Sequence, residues 1–167
     1  MIAKCNSQAG QLASARLQNE PGFRQRILVV DDELLIRRLN TEMLVFSGYD
    51  VDAAENGAAA WDALQIKRYD LMIIENDMPK VTGIELIKKV RATRLALPLI
   101  MATGKFPLDK FKRHPQLQPA VTLLKPYTFD GLVGAVQIAL LATAGAGGKS
   151  ASPPNRPAGS SAMVLRL

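Results

Sequence analysis

The chain of 167 residues holds one cysteine, one histidine and one tryptophan. A single cysteine, Cys5, cannot close an internal disulfide, and it lies in a stretch with no signal for burial. A lone histidine, His114 beside Pro115, excludes a histidine-based metal cluster and reads as a surface residue. Aromatic residues make up 5% of the chain, too few for the stacked platforms that hold single-stranded nucleic acid. No apolar run approaches the roughly 18 residues that a membrane span needs. The opening Met1-Ile-Ala-Lys-Cys5 lacks the apolar core of a secretory signal. The expectation is a cytoplasmic protein that makes no membrane contact.

Charge of one sign is in excess, at +6 overall. Its distribution weakens any nucleic-acid reading. Between Arg24 and Ala142 there are 16 Lys and Arg against 14 Asp and Glu, which leaves +2. The remaining +4 lies in the two ends, and no helix-turn-helix pattern accompanies it. Residues 1–23 are rich in Gln, Ala, Ser and Asn, and are expected to form a flexible N-terminal extension. Residues 143–167 are rich in Gly, Ala, Ser and Pro, a composition that cannot offset its ordering entropy, and are expected to be disordered. That leaves 24–142 as one domain of ordinary size, within a chain that is 48% apolar.

Inside the domain, apolar strands alternate with amphipathic helices. Arg26-Ile-Leu-Val-Val30 ends at Asp31-Asp32. Leu35, Leu39, Met43 and Phe46 then recur at helical spacing, and Gly48 is placed as a C-cap. A short strand over Asp50–Ala54 and a helix over Ala58–Lys67 follow. Leu71–Ile74 is an unbroken apolar run that ends at Glu75. A helix over Gly83–Thr93 turns Ile84, Ile87 and Val90 inward. Pro98–Ala102 ends at Thr103. A short helix over Leu108–Arg113 precedes a strand over Ala120–Leu124 that ends at Lys125-Pro126. Thr128 caps a last helix from Phe129 to about Leu141. Five strands alternating with helices specify an α/β fold: a doubly wound parallel sheet of flavodoxin-like order 2-1-3-4-5, with helices on both faces.

The residues that end the strands share one edge of such a sheet, where ligands bind. Asp31, Asp32 and Glu75 are three carboxylates that repel one another unless a cation neutralises them. Hard oxygen donors suit Mg²⁺. Lys125 offers a point charge and Thr103 a hydroxyl to a phosphate oxygen. Taken singly, an Asp after a strand is more often a helix cap than a ligand. Together the five residues suit metal-assisted phosphoryl transfer.

Four motifs carry a resemblance: Val29-Val-Asp-Asp-Glu33, Asp70-Leu-Met-Ile-Ile-Glu-Asn-Asp-Met-Pro-Lys-Val-Thr-Gly83, Pro98-Leu-Ile-Met-Ala-Thr103 and Leu124-Lys-Pro126. The chain from about Arg24 to Leu141 resembles the receiver domain of two-component response regulators. The resemblance implies that Asp31 and Asp32 hold Mg²⁺, together with Glu75 and the backbone carbonyl of Asp77. It implies that Thr103 and Lys125 contact a phosphoryl group received from a sensor histidine kinase or a phosphotransfer protein. In the family the acceptor is an aspartate four residues before the Pro of D-x-x-M-P. Here that position is Glu75. The family's aromatic switch, three residues before the lysine, is here Thr122.

A glutamate extends the carboxylate by about one carbon–carbon bond, roughly 1.5 Å. The expectation is a stand-alone pseudo-receiver in a phosphorelay, not an enzyme. Glu75 would block normal phosphorylation, Mg²⁺ binding would be weakened or lost, and output would come through binding a kinase, a phosphotransfer protein or a downstream target. Asp77 is weighed as a surrogate acceptor and set aside, because the backbone has left the strand there. The alternative is a small Mg²⁺-dependent phosphatase using the same acids. Phosphatases of the haloacid-dehalogenase type, however, space their acids as D-x-D, and Asp31-Asp32 are adjacent.

Overall fold

Leu71–Ile74 is buried along its whole length (β3), and it sits at the centre of the sheet because all four side chains are apolar. The computed structural model describes residues 24–146. The other elements are β1 (Arg26–Val30), α1 (Leu34–Phe46), β2 (Asp50–Ala54), α2 (Gly57–Ile66), α3 (Gly83–Ala92), β4 (Leu99–Thr103), α4 (Leu108–Arg113), β5 (Val121–Leu124) and α5 (Phe129–Ala146), with a 3₁₀ turn at Pro115–Leu117. The sheet has the order β2-β1-β3-β4-β5 and every pairing is parallel.

Side chains alternate across the strands and build two cores. Leu28, Val30, Met72, Ile74, Leu99 and Met101 face one side and pack with Ala60, Ile84, Ile87, Val90 and Phe111, from α2, α3 and α4. Ile27, Val29, Leu71, Ile73 and Ile100 face the other side and pack with Leu44, Leu132 and Val136, from α1 and α5. Each fully buried Leu or Ile contributes about 2 kcal/mol of transfer free energy. Among the described residues no helix is long and apolar enough to cross a membrane.

Local signals explain most element ends. Asn56 caps α2 by accepting from the N–H groups of Ala58 and Ala59. Thr82 and Glu85 form a capping box on α3. The Thr128 hydroxyl accepts from Gly131 N–H at 3.1 Å at the start of α5. Gly48, at φ +90°, stops α1 in the left-handed region that glycine adopts freely.

Two sequence expectations are corrected. The last helix continues past Leu141 to Ala146, because Ala-Thr-Ala-Gly-Ala still contains strong helix formers. The helical spacing located α1 but not its inner face. Leu35 is 78% and Phe46 85% exposed, whereas Asn40 and Leu44 are buried. A polar residue sits inside because Asn40 finds a partner in Tyr127: its Nδ2 donates to the phenol oxygen at 2.8 Å, and the phenol donates back to Oδ1 at 3.2 Å. The expected flexible extension over 1–23 lies outside the described residues, as does the tail beyond 146.

Candidate functional site

The strand register brings the site together. Val30 pairs with Ile74, and Thr103 with Leu124. Ladder-type hydrogen bonds then continue one step beyond the strands. Glu75 N–H donates to Val30 O at 2.9 Å, Lys125 N–H to Thr103 O at 3.0 Å, and Asp31 N–H to Ala54 O at 3.2 Å. Asp31, Glu75 and Lys125 are therefore fixed by the same backbone pattern that builds the sheet.

Lys125 is the hub. Its Nζ lies 2.7 Å from Asp31 Oδ2, 2.8 Å from Glu75 Oε2 and 3.9 Å from Glu33 Oε1. Asp31 is 2% and Glu75 7% exposed, so both pairs sit at low dielectric, where charge-assisted bonds are strong. Burial alone would lower the Lys125 ammonium, but the hydrogen bonds and charges of Asp31 and Glu75 outweigh it and hold the ammonium raised. Burial alone would raise the Glu75 carboxyl, but Lys125, Thr103 and the Asp77 N–H outweigh it and hold the carboxyl below its ordinary value.

The other Glu75 oxygen is also engaged. Oε1 accepts from Asn76 N–H at 2.6 Å and from Asp77 N–H at 3.2 Å. The long side chain thus folds back onto its own turn. The turn is held tightly from below, since Gly83 N–H donates to Asn76 O at 3.0 Å. A Cβ at Gly83 would stand 2.5 Å from Glu75 O and 2.9 Å from Asn76 Cα, so only glycine fits there. Thr103 is fully buried at the pocket wall. Its hydroxyl hydrogen bonds run to Lys105: donated to the carbonyl at 3.3 Å and accepted from the N–H at 3.4 Å.

The structure gathers Asp31, Glu75, Thr103 and Lys125, and Asp77 joins them through its backbone N–H on Glu75 Oε1. Asp32 is exposed. Asp77 is exposed too, and its Oδ1 accepts from Asn76 Nδ2 at 2.7 Å. Neither Asp31 nor Asp32 is the N-cap of α1, which is Glu33. Asp31 Oδ1 instead accepts from Glu33 N–H at 2.9 Å, which ties down the loop before the helix. The sequence reading missed Arg37, whose Nη1 donates to Asp31 O at 2.6 Å and Asp32 O at 3.3 Å. One signal was available: a guanidinium one turn into a helix that follows an acid pair lies within reach of that loop. Glu33 was missed as a third acid near Lys125. The Tyr127 phenol is hydrogen-bonded to Asn40 on α1. Thr122, three residues before Lys125, is exposed.

The acids of the pocket are already engaged within the protein. Asp31 gives one oxygen to Lys125 and the other to Glu33 N–H, and Glu75 spends both on Lys125 and its own turn. Among the described residues no group of three or more His, Cys, Asp or Glu is placed to hold a metal ion. One ammonium, Lys125, offsets part of the negative charge of Asp31 and Glu75.

Residues 27–137 match the family model described as the response regulator receiver domain. The chain is 30% identical over 115 residues to sporulation initiation phosphotransferase F of Bacillus subtilis, a match covering 69% of this chain and 93% of that protein. It is 34% identical over 106 residues to the sensor protein EvgS of Escherichia coli O157:H7, covering 64% of this chain but 9% of that protein. Several response regulators named MprA from mycobacteria are matched over about half their length. Among solved structures, the response regulator TrrA of Thermotoga maritima, determined in complex with Mg²⁺ and BeF, superposes with a TM-score of 0.60 at 32% identity, covering 68% of this chain and 96% of that one.

Proposed function

Because the chain belongs to the response regulator receiver family of two-component signalling, we propose that it is a receiver module whose acceptor position is held by Glu75, and that it acts by binding proteins without being phosphorylated there. Receiver domains in general bind Mg²⁺ and exchange phosphoryl groups with histidine kinases or phosphotransfer proteins. In-line transfer to a carboxylate asks for a free nucleophilic oxygen, an unoccupied lysine and hydroxyl to receive the phosphoryl oxygens, and acids open to a cation.

The observation that carries the proposal is the Glu75 carboxylate closed onto Lys125 at 2.8 Å and onto the N–H groups of Asn76 and Asp77. A nucleophile displaced by about 1 Å loses roughly a hundredfold in rate, and here the displaced carboxylate also occupies the anion-binding groups. Mg²⁺ binding is weakened on this reading, because the Lys125 ammonium already offsets part of the charge on Asp31 and Glu75 and would repel a second cation.

The partner is a sensor histidine kinase, a phosphotransfer protein or a downstream target, met in the cytoplasm. The exposed apolar stripe of α1, made by Leu35, Leu39 and Phe46, begins beside the pocket and suits packing against a partner's amphipathic helix. No observation favours the phosphatase alternative.

Intact-protein mass after incubation with Mg²⁺ and acetyl phosphate tests the proposal, with Glu75→Asp run alongside. The expected result is an unmodified wild type and a Glu75→Asp protein that gains one phosphoryl group. A labile phosphoryl group on the wild type would overturn it.

A further inference from the structure

Away from the acid pocket, on the opposite side of the sheet from α1, an open groove of about 350 Å³ is lined by Lys80, Val81, Glu85, Lys88 and Lys89. Trp61 of α2 adjoins it, with Lys89 Nζ 6.0 Å from the centre of its ring. Lys80, Lys88 and Lys89 are exposed, and among the described residues none of them is in an ion pair. The groove's one carboxylate is already engaged: Glu85 Oε2 accepts from Thr82 N–H at 2.8 Å and Thr82 Oγ1 at 3.0 Å. That carboxyl is held below its ordinary value first by its hydrogen bonds from Thr82, and further by the Lys110 and Lys88 charges. Lys80 adds a conformational observation. It stands at φ +69°, a left-handed conformation that glycine adopts freely and a lysine does not. Strain of that kind is retained where the side chain has a task.

We propose that this groove docks an acidic, extended segment of a protein partner. Carboxylates of the segment lie against Lys80, Lys88 and Lys89, and an apolar side chain rests on Trp61 and Val81. The shape argues against a small molecule, since ligand pockets enclose most of their ligand with apolar walls, and this groove is open and cationic. Its composition argues against nucleic acid. The cations are lysines without an arginine fork, only one aromatic ring is present, and the domain as a whole is close to neutral.

Trp61 is the only tryptophan in the chain, so its emission reports on the edge of this groove beside Lys89. The probe is a short synthetic peptide of alternating Glu and Leu, titrated at low salt. The expected result is a saturable change in Trp61 emission, weakened roughly tenfold by the paired reversal Lys88→Glu and Lys89→Glu, and unchanged by Arg38→Glu on α1. All variants alter exposed side chains, and circular dichroism confirms that they fold. Three outcomes would each overturn the proposal: no saturable change with the acidic peptide, an equal response to oligothymidylate of the same charge, or undiminished affinity in the folded double variant.

Discussion

Glu75 differs from an aspartate by one methylene, and its carboxylate is ion-paired with Lys125 at 2.8 Å. The ion pair has a signature in acid. The carboxyl is held below its ordinary value in the folded chain, so its contribution to stability is fully present above the unfolded value near 4.3. It is lost as pH falls through the lower, folded value. A Glu75→Gln variant keeps the shape and lacks the titration. The expected result is a difference in unfolding free energy between wild type and Glu75→Gln that is constant above about pH 6 and shrinks below about pH 4. Urea unfolding at a series of pH values reads it. A difference that stays constant to pH 3 would show that the fold does not favour the ionised carboxylate. Much of this pocket was legible from the sequence, because Asp31, Glu75 and Lys125 each follow a strand and Thr103 ends one, all in one parallel sheet. That Asp32 turns outward, and that one ammonium serves two acids, depends on loop geometry that spacing does not encode.

At the scale of elements, α1 is the instructive case. Its apolar residues Leu35, Leu39 and Phe46 recur at helical spacing, yet they face water, and the buried positions are Asn40 and Leu44. The strands read cleanly because unbroken apolar runs leave no choice of face. The helix did not, because apolar residues occur on both of its sides and a hydrogen bond from another element decides. Asn40 meets the Tyr127 phenol, and Tyr127 stands two residues beyond Lys125, so the pair anchors the lysine's loop to the helix. Removing one partner strands the other in a mostly buried site, at a cost of about 1–3 kcal/mol, whereas replacing both with apolar groups is close to neutral. Asn40→Val alone is therefore expected to cost about 2 kcal/mol, and Asn40→Val with Tyr127→Phe less than the single change. Urea midpoints of the four proteins in the cycle measure this. Additive costs would mean that the two side chains do not act as a unit.

For the whole molecule, the charge is divided. The net +6 of the chain leaves +2 on the domain and +4 on its ends, and within the domain cations gather along α3 and α4 while acids converge on the pocket. Counterion release makes any affinity for duplex DNA track the number of phosphates neutralised, and that affinity falls steeply with salt. A near-neutral domain with one open groove cannot neutralise many phosphates, because a duplex is too wide to enter where an extended strand fits. Full-length protein is therefore expected to be retained weakly on duplex DNA at about 50 mM salt and released by about 200 mM, and a fragment of residues 24–146 to pass through at both. The two cores described above belong wholly to that fragment, so it is expected to fold, and it should still bind the acidic peptide. Retention of the fragment on DNA would place the polyanion affinity on the domain itself, and the argument from charge division would fail.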